Sequence, residues 1–446
     1  MLGKILRFEF LGTLLTAIAL FGFVACSGPE QKPDKKTDDK KEEKEEKDKK
    51  DKDEDGDDHK NGDHDHGDED GDGHDEDGDD HGEDEGHEHG DEDGDHDHGA
   101  DGDDDDAAAS TSTGAKVELL IELPEKYNTP DGMCLLPSGD VLVSVPNVND
   151  EKDPPTILRI KPDNTYEKFI DPPAHPETGK AYPFGICVCP DTGDVYYADL
   201  QWFAKKEAAW NSRVLRVPMT DNQPGEPVVV AEGMVVANAV VVKDGYLYVS
   251  DTTMEPETKP LVTGVFKIKL GEGEPVKLNK PLIDDPHLIA TIETLNPNVG
   301  FGADGLCFDK NGNLYVGNFA DGTTHKIEFN EDGTTKIDPK TPTPIWAKAD
   351  FMKSCDGLFY DAPRERILCA DSLANAVQAI DLEGNVTTIA AETTFDGANG
   401  KMDQPCEVLM RGDDMIISNF DMPVDGGVNT EFETPNCISI IKGASE

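Results

Sequence analysis

Short apolar stretches separated by turn residues recur six times between residues 115 and 443. Each recurrence begins with a turn dipeptide, continues with two short strands rich in Val, Ile and Tyr, and ends in Asn or Asp. The middle residues of the six starting motifs lie 53, 54, 66, 52 and 50 positions apart, and they are Asp131, Phe184, Asn238, Asp304, Asp356 and Cys406. A four-stranded unit of this length is a propeller blade. The pattern predicts an all-β fold, a six-bladed β-propeller.

Further strands follow the recurrent motifs and supply the outer half of each blade. Examples are residues 156–160, 213–217 and 265–268. We expect the long third interval to contain an insertion at residues 282–297. Residues 117–123 precede the first motif and residues 437–441 follow the last, so the two ends of the domain are predicted to share one blade and close the ring.

Two basic residues near the start of the chain precede a mostly apolar run at positions 10–25. The run is shorter than the roughly 20 residues that a membrane-spanning helix needs, so it indicates a signal peptide over residues 1–25. The sequence Phe-Val-Ala-Cys-Ser around Cys26 resembles the lipobox of bacterial lipoproteins. The resemblance implies a lipid on Cys26 and an outer-membrane lipoprotein of the cell envelope, facing the periplasm or the surface. The alternative is an ordinary cleaved signal with an incidental cysteine.

Charge divides the remainder into two parts. Of the net charge of −53, residues 31–106 carry −28, with 11 basic and 39 acidic side chains, and the chain from Ala107 onward carries −25. No aromatic or aliphatic residue lies between Gln31 and Gly99, so residues 26–114 are predicted to be a disordered linker before a propeller at 115–446. Negative charge in both parts disfavours binding to nucleic acid.

Nine of the 12 histidines lie in the linker, among carboxylates. They are His59, His64, His66, His74, His81, His87, His89, His96 and His98. Imidazole and carboxylate groups ligate Zn²⁺, Ni²⁺ or Cu²⁺, which makes the linker a candidate metal-binding segment. A solvated spacer is the alternative.

The first strand of each blade starts beside the propeller axis, so the six middle residues are expected to converge at the mouth of the channel. Asp131, Asp304 and Asp356 supply carboxylates there, and Asn238 supplies an amide oxygen. The three negative charges repel one another unless a cation neutralises them, so a metal ion is expected there. Hard oxygen donors favour Ca²⁺, ahead of Mg²⁺, Mn²⁺ or Zn²⁺. Alternatively, the acids cap strand ends by accepting hydrogen bonds from backbone amides.

Residues 115–443 resemble the regucalcin and gluconolactonase-like family of six-bladed propellers, also called senescence marker proteins. The stretches that carry the resemblance are 301–306, 353–357 and 371–376. The family's axial metal site implies Asp131, Asn238, Asp304 and Asp356 as ligands, with Asp131 in place of a Glu and Asp304 in place of an Asn. Glu407, next to an axial position, is a possible extra axial acid.

The resemblance also implies a reaction, the hydrolysis of a lactone or a related ester, with Asp356 as the catalytic base. Loops on the same rim are expected to bind the substrate through Trp202, Asp251, Asn318 and His175. No phosphate-binding loop or dinucleotide fingerprint occurs, so no nucleotide cofactor is expected. A non-catalytic propeller that binds a ligand or protein at the cell surface is the alternative function.

Eight cysteines follow Cys26. Cys134, Cys187 and Cys307 occupy equivalent first-strand positions and are expected to be buried free thiols. Cys355 and Cys406 lie at the axial ends of neighbouring blades, and they are the pair for which the sequence suggests a disulfide.

Overall fold

The computed structural model describes residues 113–204, 210–271, 273–296, 298–423 and 429–444. The predicted signal segment, Cys26 and residues 27–112 of the predicted linker, including its nine histidines, lie outside these ranges. The last two residues of the predicted linker, Thr113 and Gly114, lie inside them and form a strand, because their backbone pairs with blade 5. Within them, no helix is both long and apolar enough to cross a membrane.

Six blade sheets follow one another along the described residues, four with four strands and two extended to five, which confirms the six-bladed β-propeller. Two strands precede blade 1, namely β1 (Thr113–Gly114) and β2 (Glu118–Glu122). Blade 1 contains β3 (Met133–Leu135), β4 (Val141–Val145), β5 (Thr156–Ile160) and β6 (Tyr166–Ile170). Blade 2 contains β7 (Pro183–Val188), β8 (Val195–Asp199), β9 (Ser212–Val217) and, after the small hairpin of β10 (Met219–Thr220) and β11 (Gln223–Pro224), β12 (Val228–Met234).

The remaining four blades repeat this order. Blade 3 contains β13 (Ala237–Lys243), β14 (Tyr246–Glu255), β15 (Leu261–Lys269) and, after β16 (Val276–Lys277), β17 (Leu288–Thr294). Blade 4 contains β18 (Ala303–Phe308), β19 (Leu314–Asn318), β20 (Thr323–Ile327) and β21 (Ile345–Lys348). Blade 5 contains β22 (Leu358–Asp361), β23 (Arg366–Asp371), β24 (Ala376–Asp381) and β25 (Val386–Ala391). Blade 6 contains β26 (Pro405–Arg411), β27 (Asp414–Asn419) and β28 (Cys437–Ile441). Short 3₁₀ turns lie at Gln201–Phe203, Leu282–Asp284, Ala362–Arg364, Ser372–Ala374 and Ala398–Gly400.

The fourth strand of blade 6 comes from the beginning of the domain. β2 pairs antiparallel with β28, with Glu118 opposite Ile440 and Glu122 opposite Cys437. β1 extends blade 5 by pairing with β25. The predicted sharing of one blade by the two ends of the domain is therefore confirmed, and these backbone hydrogen bonds leave no gap in the ring.

The insertion in the third interval lies earlier than the sequence suggested. Residues 288–294 form β17, because Leu288, Ala290 and Ile292 alternate toward the core and are buried. The additional residues precede this strand, at 270–287. They include β16, which pairs in parallel with β12 of blade 2. The insertion therefore joins two blades, and its predicted placement over 282–297 was wrong in its second half.

The first strands of four blades are irregular at their axial ends. Ladder pairing is interrupted between Pro183 and Ile186, between Ala237 and Val240, and between Ala303 and Leu306. A similar shift occurs between Pro405 and Glu407. Such bulges bend a strand and change the direction of one side chain. They fall on the axial residues of blades 2, 3, 4 and 6.

Candidate functional site

Hydrogen bonds from one blade to the next hold the backbone around the axial residues. The Ser418 hydroxyl of blade 6 donates to the Asp131 carbonyl at 2.6 Å, and the Ser144 hydroxyl donates to the Phe184 carbonyl at 2.6 Å. The Gly357 amide donates to the Cys406 carbonyl at 2.9 Å. These bonds run between blades 6 and 1, 1 and 2, and 5 and 6. They therefore connect the backbone beside the axial residues of four consecutive blades, 5, 6, 1 and 2.

Close packing of neighbouring first strands explains the glycines that follow most axial residues. A Cβ atom on Gly305 would lie 2.1 Å from the Asp356 carbonyl oxygen, and one on Gly357 would lie 2.5 Å from the Cys406 carbonyl oxygen. Real side chains do not tolerate such distances, so these positions require glycine. The glycines therefore allow the backbones of adjacent blades to approach closely beside the axial residues.

The structure places two of the four predicted metal ligands, Asn238 and Asp304, in direct contact, and the charges of Asp131 and Asp304 act on their axial neighbours. The Asn238 amide donates to Asp304 Oδ1 at 2.7 Å. Asp131 and Asp304 are buried, whereas Asp356 and Asn238 are partly exposed. Among the described residues, no three of the axial carboxylates have oxygen atoms that all lie within 4.8 Å of one another, so a cation bound here would draw the carboxylates together. Carboxylate and amide oxygens are the donors that a hard divalent cation prefers.

The pKa values of Asp131, Asp304 and Asp356 are all raised, by burial in each case and, for Asp304 and Asp356, also by neighbouring acids. Burial raises the pKa of Asp131 to about 7. Burial, followed by the charge of Asp131, holds the pKa of Asp304 well above its ordinary value, and Asp356 responds in the same direction to burial, Asp304 and Asp131. No Lys, Arg or His among the described residues lowers these pKa values. A bound cation would remove the repulsion.

Glu407 joins the axial acids as a fourth carboxylate. The residue after the axial position is Gly or Ala in the other five blades and Glu only in blade 6. A Cβ atom on Gly357 would lie 2.5 Å from Glu407 Oε1, so the carboxylate occupies space that this glycine leaves open. Burial raises the pKa of Glu407 well above its ordinary value, and the charges of Asp131 and Asp304 raise it further.

Aromatic rings from several blades pack beside the acids. Phe184, the axial residue of blade 2, stacks on Phe203 with ring centroids 5.6 Å apart and contacts Phe420 of blade 6 at 5.8 Å. Trp202 meets the edges of Phe203 and Phe301 at 5.4 and 5.5 Å. Trp202 is thus half-buried within an aromatic cluster. A sugar-stacking role for this residue stays a prediction.

The Asn or Asp that ends each recurrent motif organises the backbone of its own blade. Asp251 accepts hydrogen bonds from the Val235 and Val236 amides at 2.8 and 2.9 Å. Equivalent bonds to the segment before the first strand are made by Asn147, Asp199, Asp371 and Asn419. Asn318 instead accepts from the Thr294 hydroxyl and donates to the Glu293 carbonyl. Asp251 and Asn318 are fully buried, and a substrate contact by either stays a prediction.

His175 lies in the connection from blade 1 to blade 2. Its Nδ1 accepts a hydrogen bond from the Glu177 amide at 3.2 Å, and its backbone closes a turn with Lys180. Partial burial, followed by the charge of Arg213, lowers the pKa of His175. Among the described residues, His175 makes no hydrogen bond to an axial residue, and a substrate contact by it stays a prediction.

Cysteine pairing differs from the sequence expectation. The Cys406 Sγ contacts the Pro130 carbonyl at 3.2 Å and the Ser418 hydroxyl at 3.3 Å, whereas the Cys355 Sγ lies 3.2 Å from the Cys369 Sγ. The structure does not contain the suggested Cys355–Cys406 disulfide, because both cysteines are free thiols and their sulfur atoms contact other groups. Cys134 and Cys307 are buried free thiols, as expected, and Cys187 is partly buried.

A second acidic cluster was missed by sequence reasoning. Oxygen atoms of Asp403, Asp421 and Glu433 lie within 4.8 Å of one another. Burial, followed by the charges of the other two acids, raises the pKa of Asp403 to about 8. Asp421 accepts hydrogen bonds from the Asn429 and Asn436 side chains. None of the three acids occupies a recurrent position in the repeat, so the periodic pattern carried no signal for them.

Comparison with known proteins finds similar structures but no similar sequence among the family profiles and curated proteins. No family profile matches the sequence, and no curated protein matches it. The PQQ-bound aldose sugar dehydrogenase of Streptomyces coelicolor is 18% identical, with a TM-score of 0.47 over 73% of this chain and 98% of that one. A gluconolactonase of Xanthomonas campestris is 13% identical, with a TM-score of 0.47 over 73% and 89%. The calcium-binding protein regucalcin of Agrobacterium tumefaciens is 12% identical, with a TM-score of 0.47 over 73% and 93%.

Proposed function

We propose that this protein is an exported, membrane-tethered and metal-dependent hydrolase of lactones or related esters. The observation that carries the proposal is the axial group of Asp131, Asn238, Asp304 and Asp356, with Glu407 as the additional acid. Four carboxylates without a basic neighbour among the described residues repel one another when they are ionised, and a bound divalent cation would offset that repulsion. Ca²⁺ matches these oxygen donors best.

The axial residues divide the chemistry between them. Asp131 and Asp304, which are buried, would hold a cation, and a cation held there would polarise the ester carbonyl. The partly exposed Asp356 would accept a proton from the attacking water. The Asn238 amide orients Asp304 through their 2.7 Å hydrogen bond. Phe184 and its neighbouring rings form an apolar cluster at the axial position of blade 2.

Cell-envelope attachment follows from the sequence around Cys26. A lipid on this cysteine would hold the protein at the outer membrane, and the acidic segment would act as a tether between the lipid and the propeller. The histidines of the tether would bind Zn²⁺ or Ni²⁺ independently of the axial site. A membrane-attached hydrolase of this kind acts on small lactones that reach the envelope.

A non-catalytic propeller with a structural cation is the second candidate function. The observation that favours it is the deep burial of Asp131 and Asp304, at 8% and 5% of their possible exposure. A cation held this deeply would stabilise the ring without contacting a substrate. The partial exposure of Asp356 favours the hydrolase.

Hydrolysis of a panel of sugar and aliphatic lactones tests the proposal. We expect measurable turnover by the full-length protein and a loss of about 100-fold or more in Asp356→Asn, which keeps the shape but removes the base. Asp332→Asn, a change of an exposed turn residue, is the matched control and should retain full activity. Full activity in Asp356→Asn would remove this residue from catalysis. No turnover of any lactone by a metal-loaded protein would favour the structural role.

A further inference from the structure

Two thiols lie side by side in the core of blade 5. The Cys355 and Cys369 Sγ atoms are 3.2 Å apart, and neither residue has any exposed surface. A disulfide needs a sulfur separation of about 2.05 Å, so about 1 Å of approach would close the bond. Cys406 and Cys437 contact backbone carbonyl and hydroxyl oxygens instead of another sulfur.

The backbone already brings the two cysteines to one place. Cys369 lies on β23, and the next residue, Ala370, accepts a hydrogen bond from the Asp356 amide at 3.0 Å. The Ala370 amide donates back to the Gly357 carbonyl at 3.0 Å. Cys355 directly precedes this pairing. Its Sγ also contacts the Thr324 hydroxyl of blade 4 at 3.4 Å.

We propose that Cys355 and Cys369 form a disulfide within blade 5, and that this bond fixes the position of Asp356. The bond itself follows from the two thiols. The effect of the disulfide on Asp356 rests on the proposed function, in which Asp356 is a metal ligand and the catalytic base. With the bond formed, Asp356 is held on one side by the cross-link and on the other by its amide hydrogen bond to Ala370.

The oxidant is a disulfide, either a small molecule such as oxidised glutathione or a protein disulfide. The thiolate of one cysteine attacks it, forms a mixed disulfide and releases one thiol. The thiolate of the second cysteine attacks the mixed disulfide at the first cysteine's sulfur and releases the second thiol. Two electrons pass to the oxidant, and the two protons lost by the cysteines end on the two released thiols. Because both sulfurs are buried in the folded blade, the bond forms during folding.

Peptide mapping of the full-length protein tests the bond directly. The protein is refolded with glutathione disulfide or with dithiothreitol, alkylated, and digested with trypsin without reduction. Cleavage separates Cys355 in residues 354–364 from Cys369 in residues 367–401. We expect these peptides to be joined after oxidative refolding and separate after reducing refolding. The Cys406 peptide, residues 402–411, is the internal control and should be alkylated in both. Separate 354–364 and 367–401 peptides after oxidative refolding would overturn the proposal.

Calcium titration of the same preparations tests the effect on Asp356. We expect the Ca²⁺ dissociation constant to rise at least threefold in the reduced protein and in Cys369→Ser, with Cys134→Ser as the matched buried-thiol control that keeps the oxidised value. Equal affinity in oxidised and reduced protein would overturn the coupling to Asp356 while the mapped bond stands. If no preparation binds Ca²⁺, the proposed metal site fails, and the peptide map still decides the disulfide.

Discussion

Removal of divalent cations should make the stability of this protein fall as the pH rises. Asp131 titrates near 3.8 in an unfolded chain and near 7 in the folded protein. Between these values the folded state binds a proton that the unfolded state does not, so the free energy of unfolding decreases with pH over this window. A difference of about three pKa units corresponds to on the order of 4 kcal/mol. The raised pKa values of Asp304 and Asp356 act in the same direction.

Calcium should reverse this loss, and more strongly at high pH, because it competes with protons for the same oxygens. At a hundredfold excess over its dissociation constant, a cation that binds only the folded state adds about 2.7 kcal/mol. A propeller of roughly 330 residues has an unfolding entropy near 0.7 kcal/mol per kelvin, so this corresponds to about 4 °C in the melting temperature.

Scanning calorimetry of the full-length protein at pH 5 and pH 8, in EDTA or in millimolar Ca²⁺, measures both effects. We expect a Ca²⁺-induced increase at pH 8 that is small or absent at pH 5. Asp304→Asn should lose most of the increase, whereas Asp332→Asn, a change of an exposed turn residue, should retain it. Identical melting in EDTA and Ca²⁺ at pH 8, with no metal bound, would refute the reasoning.

Three further changes separate packing, metal binding and tethering. Phe184→Leu removes the ring that stacks on Phe203, so the free energy of unfolding measured with denaturant should fall by about 1 kcal/mol while lactone hydrolysis persists. A complete loss of activity in the folded variant would contradict the assignment of Phe184 to packing. Glu407→Gln should weaken Ca²⁺ binding about tenfold in a calorimetric titration, and unchanged affinity would exclude Glu407 as a ligand. Deletion of residues 31–106 removes −28 of charge and nine histidines, so Zn²⁺ uptake should drop sharply while cooperative unfolding and catalysis are unchanged; equal Zn²⁺ uptake would leave only the spacer interpretation.

The repeat allowed the sequence to predict the blades and the axial residues, because both are periodic. Asp131, Asp304 and Asp356 recur at one position of the repeat, and a propeller brings equivalent positions to one axis. The same logic predicted that residues 117–123 would complete the last blade. A feature that recurs in every blade is predictable because the sequence shows it six times, even where each single occurrence is weak.

Features that depend on one blade alone were not predictable in this way. The carboxyl and amide groups that end the motifs face their own backbone, as Asp251 does, and the sequence does not distinguish this from an orientation toward a substrate. The proximity of Cys369 to Cys355 depends on the local pairing of β23 with the segment before β22. Residues 288–294 were assigned to an insertion because the length of the third interval was clear but its internal register was not.

The measurement that tests the central claim most directly is lactone hydrolysis during a Ca²⁺ titration of chelator-treated protein, with bound Ca²⁺ measured in the same samples. The account predicts negligible activity without metal and a rate that rises in proportion to occupancy of one site, with neither property surviving in Asp304→Asn. Full activity in excess chelator, or full occupancy of the axial site without hydrolysis of any lactone in the panel, would contradict it.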